Sequence, residues 1–261
     1  MARFAANLSM MFTEVPFLAR FGAARAAGFT AVEYLFPYAE EKDAVAAELK
    51  RHGLTQALFN MPPGDWAAGE RGLASLPGRE AEFRAGVATT LDYAEALGCP
   101  QLHAMAGLCR PGVSRERQQA TYVANIRYAA DEAAKKDIMV LIEPINGRDM
   151  PGYFLSTQVQ AEALLEEIDR PNVKIQLDLY HCQIMEGDLT RTIDRLWGKF
   201  SHIQIASVPE RHEPDQGEVN YPWLFDYLDT KGYDGFLGCE YRPRGNTEAG
   251  LGWFAPWASK E

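Results

Sequence analysis

Four residues with metal-binding chemistry stand at or near the ends of short apolar runs: Glu143 in Met139-Val140-Leu141-Ile142-Glu143, Asp178 in Lys174-Ile175-Gln176-Leu177-Asp178, Gln204 in His202-Ile203-Gln204-Ile205-Ala206, and Glu240 in Phe236-Leu237-Gly238-Cys239-Glu240. Three carboxylates and one amide oxygen make a hard donor set that suits a single divalent ion, Mg2+ or Mn2+ ahead of Zn2+. Without a cation such carboxylates repel one another, and at least one has its pKa raised toward neutrality. Each residue taken singly reads equally well as a helix cap or a satisfied rim group, but their recurrence on successive runs favours a shared centre. Two opposed glutamates, Glu143 and Glu240, have the further capacity to take a proton from one carbon and return it to the next, which is how a carbonyl moves along a chain. A metal bound through the substrate's carbonyl and hydroxyl oxygens would stabilise the enediolate between those steps. Because both glutamates would also bind the ion, their titrations are expected to depend on it.

Other residues extend this group. His181 follows Asp178 by three positions and is expected at the same mouth, contacting a substrate hydroxyl in preference to the ion. His202 begins a run and reads as structural, while His52 and His103 have no evident partner. An acidic substrate needs a cation, and Arg71 and Arg211 are candidates because guanidinium binds carboxylate in a bidentate fork. Trp66 and Phe12 are candidate walls, and Glu70 and Asn60 are candidate substrate contacts.

These residues must be positioned by something, and the chain supplies a repeating pattern. Short apolar runs alternate with segments of helical period from end to end. Strands are predicted at Arg3–Leu8, Ala31–Leu35, Thr55–Asn60, Gln101–Ala106, Met139–Glu143, Lys174–Asp178, His202–Ala206 and Phe236–Glu240, each followed by a segment able to form a helix. The clearest helix is predicted over Arg79–Leu97, where Phe83, Val87, Leu91, Ala94 and Leu97 recur at helical spacing and Gly98 provides a C-terminal cap. Ser114 is predicted to open a helix running to Lys136, and Pro16 and Pro222 suit helical first turns. Alternation repeated eight times predicts a single (β/α)8 TIM barrel over residues 1–261. The absence of GxGxxG or GxxxxGK weakens a doubly wound sheet. Adjacent strands lie about 4.8 Å apart, so inward side chains at their ends can converge on one ion. The Gly-, Pro- and Ala-rich stretch 61–77 is long for a connection and reads as a lid-like loop.

Composition narrows the function classes. The 261 residues carry a net charge of −10, which argues against nucleic acid and anionic membrane as partners. No apolar stretch approaches a membrane span, and the opening residues lack the pattern of a secretory signal. Four dispersed cysteines, Cys99, Cys109, Cys182 and Cys239, fit a reduced cytoplasmic protein. Barrels of this kind often form homo-oligomers, and no interface stripe stands out.

At the same residues the chain resembles the hydroxypyruvate isomerase family within the xylose isomerase-like barrels. The resemblance is carried by Phe4-Ala5-Ala6-Asn7-Leu8-Ser9-Met10, Gly64-Asp65-Trp66-Ala67-Ala68-Gly69-Glu70-Arg71-Gly72, Ile142-Glu143-Pro144-Ile145-Asn146, His202-Ile203-Gln204-Ile205-Ala206 and Gly238-Cys239-Glu240-Tyr241. It implies the xylose isomerase-like barrel, ligation by Glu143, Asp178, Gln204 and Glu240, acid–base roles for Glu143 and Glu240, and interconversion of hydroxypyruvate and tartronate semialdehyde. The chain departs from the family pattern at Ser207, where relatives usually carry aspartate, and through Val208-Pro209-Glu210-Arg211-His212. Related 2-oxo-tetronate isomerases share most of these motifs, so the substrate's carbon number is not fixed by them. A sugar epimerase on the same barrel is the nearest alternative. A phosphodiesterase of the endonuclease IV type would need several histidines and a basic groove. A non-catalytic sugar-acid binding module would not require two opposed glutamates.

Overall fold

The structure, a computed structural model, describes residues 2–258. Eight parallel strands run in chain order around a closed barrel: β1 (Arg3–Asn7), β2 (Ala31–Tyr34), β3 (Thr55–Asn60), β4 (Gln101–His103), β5 (Met139–Ile142), β6 (Val173–Asp178), β7 (Phe200–Ile205) and β8 (Phe236–Cys239). Closure comes from β1 pairing with β8, with Ala5 opposite Gly238. The chain is thus a (β/α)8 barrel of the expected class. The single-domain expectation covered residues 1–261, of which 1 and 259–261 lie outside the described residues.

Helices α1 (Phe17–Ala26), α2 (Lys42–His52), α3 (Glu80–Leu97), α4 (Arg115–Ala134), α5 (Gln158–Ile168), α6 (Leu179–Met185), α7 (Leu189–Arg195) and α8 (Tyr221–Lys231) form the outer layer. The α3 stripe Phe83, Val87, Leu91, Ala94 and Leu97 is buried, and Gly98 ends the helix at φ 60°, a left-handed conformation costly for side chains with a Cβ. Ser114 caps α4 by accepting a hydrogen bond from the Arg117 amide at 3.2 Å, although the helix stops at Ala134, two residues before the predicted end. Pro222 lies in the first turn of α8, whereas Pro16 sits just outside α1. One expectation fails: β8 is followed not by an α-helix but by a 3-10 segment, Glu248–Trp253. Its region holds Gly245, Gly250 and Gly252, which weaken α-helix propagation.

Strand alternation divides the layers. Phe4 points outward into an aromatic cluster with Phe225, Trp253, Phe254 and Trp257. Its neighbours Ala5 and Asn7 face inward, as do Ala31 and Glu33 on β2. Ala5, Ala31 and Ala57 form a small-residue cluster apart from the main core. Above these alanines the interior becomes polar, and this layering positions the site. Cys99, Cys182 and Cys239 are buried, Cys109 is exposed, and all four are free thiols. No helix among the described residues is long and apolar enough to cross a membrane.

The 61–77 loop is held in place by its own side chains. Glu70 accepts bonds from Arg79 Nη1 at 2.6 Å and the Asp65 amide at 2.6 Å. Trp66 leans on Phe36 with ring centroids 5.3 Å apart.

Candidate active site

Glu143 and Glu240 lie one residue beyond β5 and β8, and Asp178 is the last residue of β6. Asp178 also caps α6: its Oδ1 accepts from the amides of Tyr180 at 2.7 Å and His181 at 3.4 Å. That cap explains the local sequence, since an aspartate ending a strand terminates it and starts the helix that carries His181. Ligand atoms of Glu143, Asp178, His181 and Glu240 all lie within 4.8 Å of one another, and all four residues are buried. Glu143 Oε1 and Asp178 Oδ2 have no hydrogen-bond partner among the described residues despite burial. Unpartnered buried carboxylate oxygens are costly, and two of them facing a common centre fit a cation. The cluster is therefore able to hold a metal ion.

Gln204 occupies the same level as Asp178, its register partner on the neighbouring strand. Its Oε1 accepts from Gln176 Nε2 at 2.6 Å and its Nε2 donates to Glu33 Oε1 at 2.8 Å. The amide is thereby oriented, with one lone pair of Oε1 remaining.

His181 is oriented as firmly. Asn146 Oδ1 accepts from the amides of Arg148 and Asp149 at 2.9 and 2.8 Å, so its amide nitrogen faces His181 Nδ1, at 2.6 Å. Nδ1 is then an acceptor, and Nε2 carries the hydrogen in the neutral ring. Nε2 points toward Asp178 Oδ2 at 3.5 Å and Glu143 Oε1 at 3.9 Å. An N–H in that place suits an oxygen-bearing substrate better than direct metal ligation.

Arg211 reaches into the cluster from the loop after β7. Its Nη2 is 2.6 Å from Glu240 Oε2 and 3.8 Å from Asp178 Oδ2, and Nη1 is 3.6 Å from Asp149 Oδ2. Its backbone has φ 56°, and Ser207 closes the loop by accepting the Arg211 amide on its carbonyl and the His212 amide on its hydroxyl. The departure at Ser207 thus belongs to the turn that presents Arg211.

Burial dominates the electrostatics. It raises Glu143 well above the carboxylate range, with Glu240 and Asp178 adding repulsion. Burial also raises Glu240 to about 8, with Arg211 opposing, and Asp178 to about 6, again against Arg211. For Arg211 burial disfavours the charge, but Glu240, Asp178, Glu143 and Asp149 outweigh it and raise its pKa. Burial depresses His181 well below its usual value, with help from Arg211. His103 is pushed down to about 3 by burial alone, so it stands neutral with Nδ1 3.4 Å from Glu143 Oε2.

The cluster opens into a cavity of about 380 Å³ whose wall includes Asn60, Trp66, Arg71, Arg211 and Arg242. Of the expected substrate contacts, Asn60, Trp66, Arg71, His181 and Arg211 line this space. Glu70 does not, because Arg79 and the Asp65 amide hold its carboxylate in the loop. Phe12 is also absent from the wall, being packed on Phe29. His202, expected to be structural, lies inside the barrel with Nε2 2.6 Å from Glu33 Oε2. Glu33 was not anticipated. Its carboxylate accepts from Asn7 at 3.0 Å as well as from Gln204, and the Asn7 amide is also 3.4 Å from Glu240 Oε1. A charged residue inside the apolar run Ala31-Val32-Glu33-Tyr34-Leu35 was the available signal.

Comparison with known proteins places this geometry among others. The model of the xylose isomerase-like TIM barrel family matches residues 21–257. The chain is 56% identical over 260 residues to a 2-oxo-tetronate isomerase from Cupriavidus necator, covering 100% of both chains. It is 48% identical to the hydroxypyruvate isomerase of Escherichia coli, covering 98% of this chain and 100% of the other. A solved structure from Brucella melitensis, titled as an AP endonuclease of family 2, superposes with a TM-score of 0.98 at 60% identity, covering 99% of this chain and 100% of that one.

Proposed function

The chain belongs to the xylose isomerase-like TIM barrel family, and on that premise we propose that it isomerises a small 2-oxo acid bearing a neighbouring hydroxyl: hydroxypyruvate or its four-carbon homologue 2-oxo-tetronate. The observation that carries this reading is the convergence of Glu143 and Glu240, from strands on separate sides of the mouth, in one buried cluster at an open cavity. Names borne by the relatives from Cupriavidus necator and Escherichia coli support the same substrate class.

The reaction transfers one hydrogen between adjacent carbons and exchanges carbonyl for hydroxyl. One glutamate removes the proton from the hydroxyl-bearing carbon, and the other delivers a proton to the former carbonyl carbon. Burial raises both carboxyl groups when no cation compensates them, so the binding of an ion and of substrate is coupled to their proton transfers. His181 Nε2–H and the Arg211 guanidinium supply donors to oxygens that gain negative charge. A divalent ion held by Glu143, Asp178, Gln204 and Glu240 would add Lewis-acid polarisation of the carbonyl and hydroxyl oxygens. The predominantly oxygen donor set favours Mg2+ or Mn2+ over Zn2+. Trp66 and Arg71 stand on the cavity wall. The four free thiols suit a reducing, cytoplasmic setting.

An endonuclease reading, suggested by the Brucella melitensis title, finds less support. The cluster contains one histidine, sits buried at a small cavity, and belongs to a chain of net charge −10, whereas DNA binding draws on a basic phosphate-tracking surface. Product analysis tests the proposal. Metal-replete protein is expected to convert hydroxypyruvate to tartronate semialdehyde, or 2-oxo-tetronate to its 3-oxo isomer, and to lose this activity with chelator. Inversion of configuration without carbonyl movement, or no conversion of either acid, would refute it.

A further inference from the structure

The cavity wall carries three guanidinium groups, from Arg71, Arg211 and Arg242, and they are not equivalent. The inner end of the cavity is acidic, with Glu143, Glu240 and Asp149 on its lining. Glu143 and Glu240 are taken up by the ion and by proton transfer at the reacting carbons, so the substrate's carboxylate needs its own cation elsewhere on the wall. Arg211 is committed to Glu240 at 2.6 Å and shared with Asp149 and Asp178. Arg71 stacks 4.0 Å from the Trp66 ring, with Nη1 donating to the carbonyls of Trp66 and Glu70 at 3.0 and 2.7 Å. It is oriented, but no carboxylate among the described residues pairs with it.

Arg242 is the least engaged of the three. Its backbone is fixed, the amide donating to the Arg211 carbonyl at 2.8 Å and the carbonyl lying 2.7 Å from His212 Nδ1. Its side chain makes no hydrogen bond or ion pair among the described residues. Two positions on, Arg244 is paired with Glu213 at 2.9 Å and Asp215 at 2.8 Å. Carboxylates are therefore available to this loop, yet Arg242, exposed to solvent on the cavity wall two residues after Glu240, pairs with none of them among the described residues.

We propose that Arg242 is the receptor for the substrate's carboxylate, with Arg71 as the second cation on the lid side. Guanidinium binds carboxylate through two parallel N–H bonds, fixing direction as well as charge. The acid end then lies toward the mouth, and the adjacent carbonyl and hydroxyl carbons are directed toward Glu143 and Glu240. This assignment rests on the isomerase reading and adds a selection rule to it: anionic hydroxy-oxo substrates are preferred over neutral ones of the same size.

The test compares hydroxypyruvate with dihydroxyacetone, its neutral counterpart in which a hydroxymethyl group replaces the carboxylate. In Arg242→Gln, kcat/KM for hydroxypyruvate is expected to fall about tenfold or more, mainly through KM, and the acid-to-neutral ratio to fall by a similar factor. Arg242→Lys should recover part of that ratio. Equal losses on both substrates, or an unchanged ratio, would overturn the assignment. Tartronate, a hydroxy diacid that cannot isomerise, keeps the two proposals separable by calorimetry. If the unmodified chain turns over neither acid, the isomerase reading fails. The subsite still stands if tartronate binds about tenfold more weakly to Arg242→Gln, and falls if the two proteins bind it equally or not at all.

Discussion

Glu240 and Glu143 show how burial raises the proton affinity of a carboxyl group when no cation compensates it. Burial raises Glu240 to about 8 and Glu143 upward as well, so the folded metal-free chain binds protons there that the unfolded chain releases. The stability tied to these groups is full below the ordinary carboxylate value and is lost as pH rises through the folded value. His103 and His181, depressed by burial, act in the opposite sense, and their effect is complete above about pH 6.5. With chelator present, the melting temperature is therefore expected to decline between about pH 7 and 9. The decline should shrink in Glu240→Gln and on adding Mg2+ or Mn2+; a rise across that window would contradict the electrostatics. In the same variant, substrate proton exchange should fall by at least about a hundredfold with the circular dichroism spectrum retained. Near-normal turnover would reject Glu240 as an acid–base group.

At the scale of elements, the strands deliver these side chains through a polar layer beneath them. Glu33 on β2 joins His202 and Gln204 on β7 to Asn7 on β1, and the Asn7 amide reaches Glu240. A Cβ at Gly238 would overlap the Glu33 carboxylate. Gly238→Ala is therefore expected to cost about 1–3 kcal/mol through overpacking, measured by denaturant unfolding, and to weaken Mn2+ binding. Gly252→Ala, which meets open space, should change neither; equal effects would deny the polar layer its role. A smaller loss, about 1 kcal/mol, is expected for Ser114→Ala, which removes the α4 cap.

These elements also show what was legible in sequence. The strands were readable because each is a short apolar run followed by helical periodicity, and Glu143, Asp178 and Glu240 were readable as polar groups at the ends of those runs. Glu33 and Asn146 were not, because their contacts are with partners distant in the chain. Asn146 orients a histidine 35 positions away, and Glu33 bonds to residues 169 and 171 positions away. Strand–helix alternation predicts an α-helix after β8, but the glycine-rich tail there forms only the 3-10 segment Glu248–Trp253. Glu70, expected at the substrate, is instead held in the loop by Arg79, nine positions on.

Over the whole molecule, a chain of net charge −10 places Arg71 and Arg242, neither paired with a carboxylate among the described residues, on the wall of the cavity that holds the carboxylate cluster, an arrangement suited to small anions. Chelation should abolish turnover and Mg2+ or Mn2+ restore it, whereas activity indifferent to chelator would remove the ion from the chemistry. The most direct measurement follows the migrating hydrogen by NMR, using hydroxypyruvate in D2O with Glu240→Gln as a control for spontaneous exchange. Proton transfer through the two glutamates should leave solvent deuterium on the former carbonyl carbon of the tartronate semialdehyde formed. Product that retains the substrate's own hydrogen at that carbon would mean direct transfer between carbons or a single shielded base, contradicting the division of proton transfer between Glu143 and Glu240.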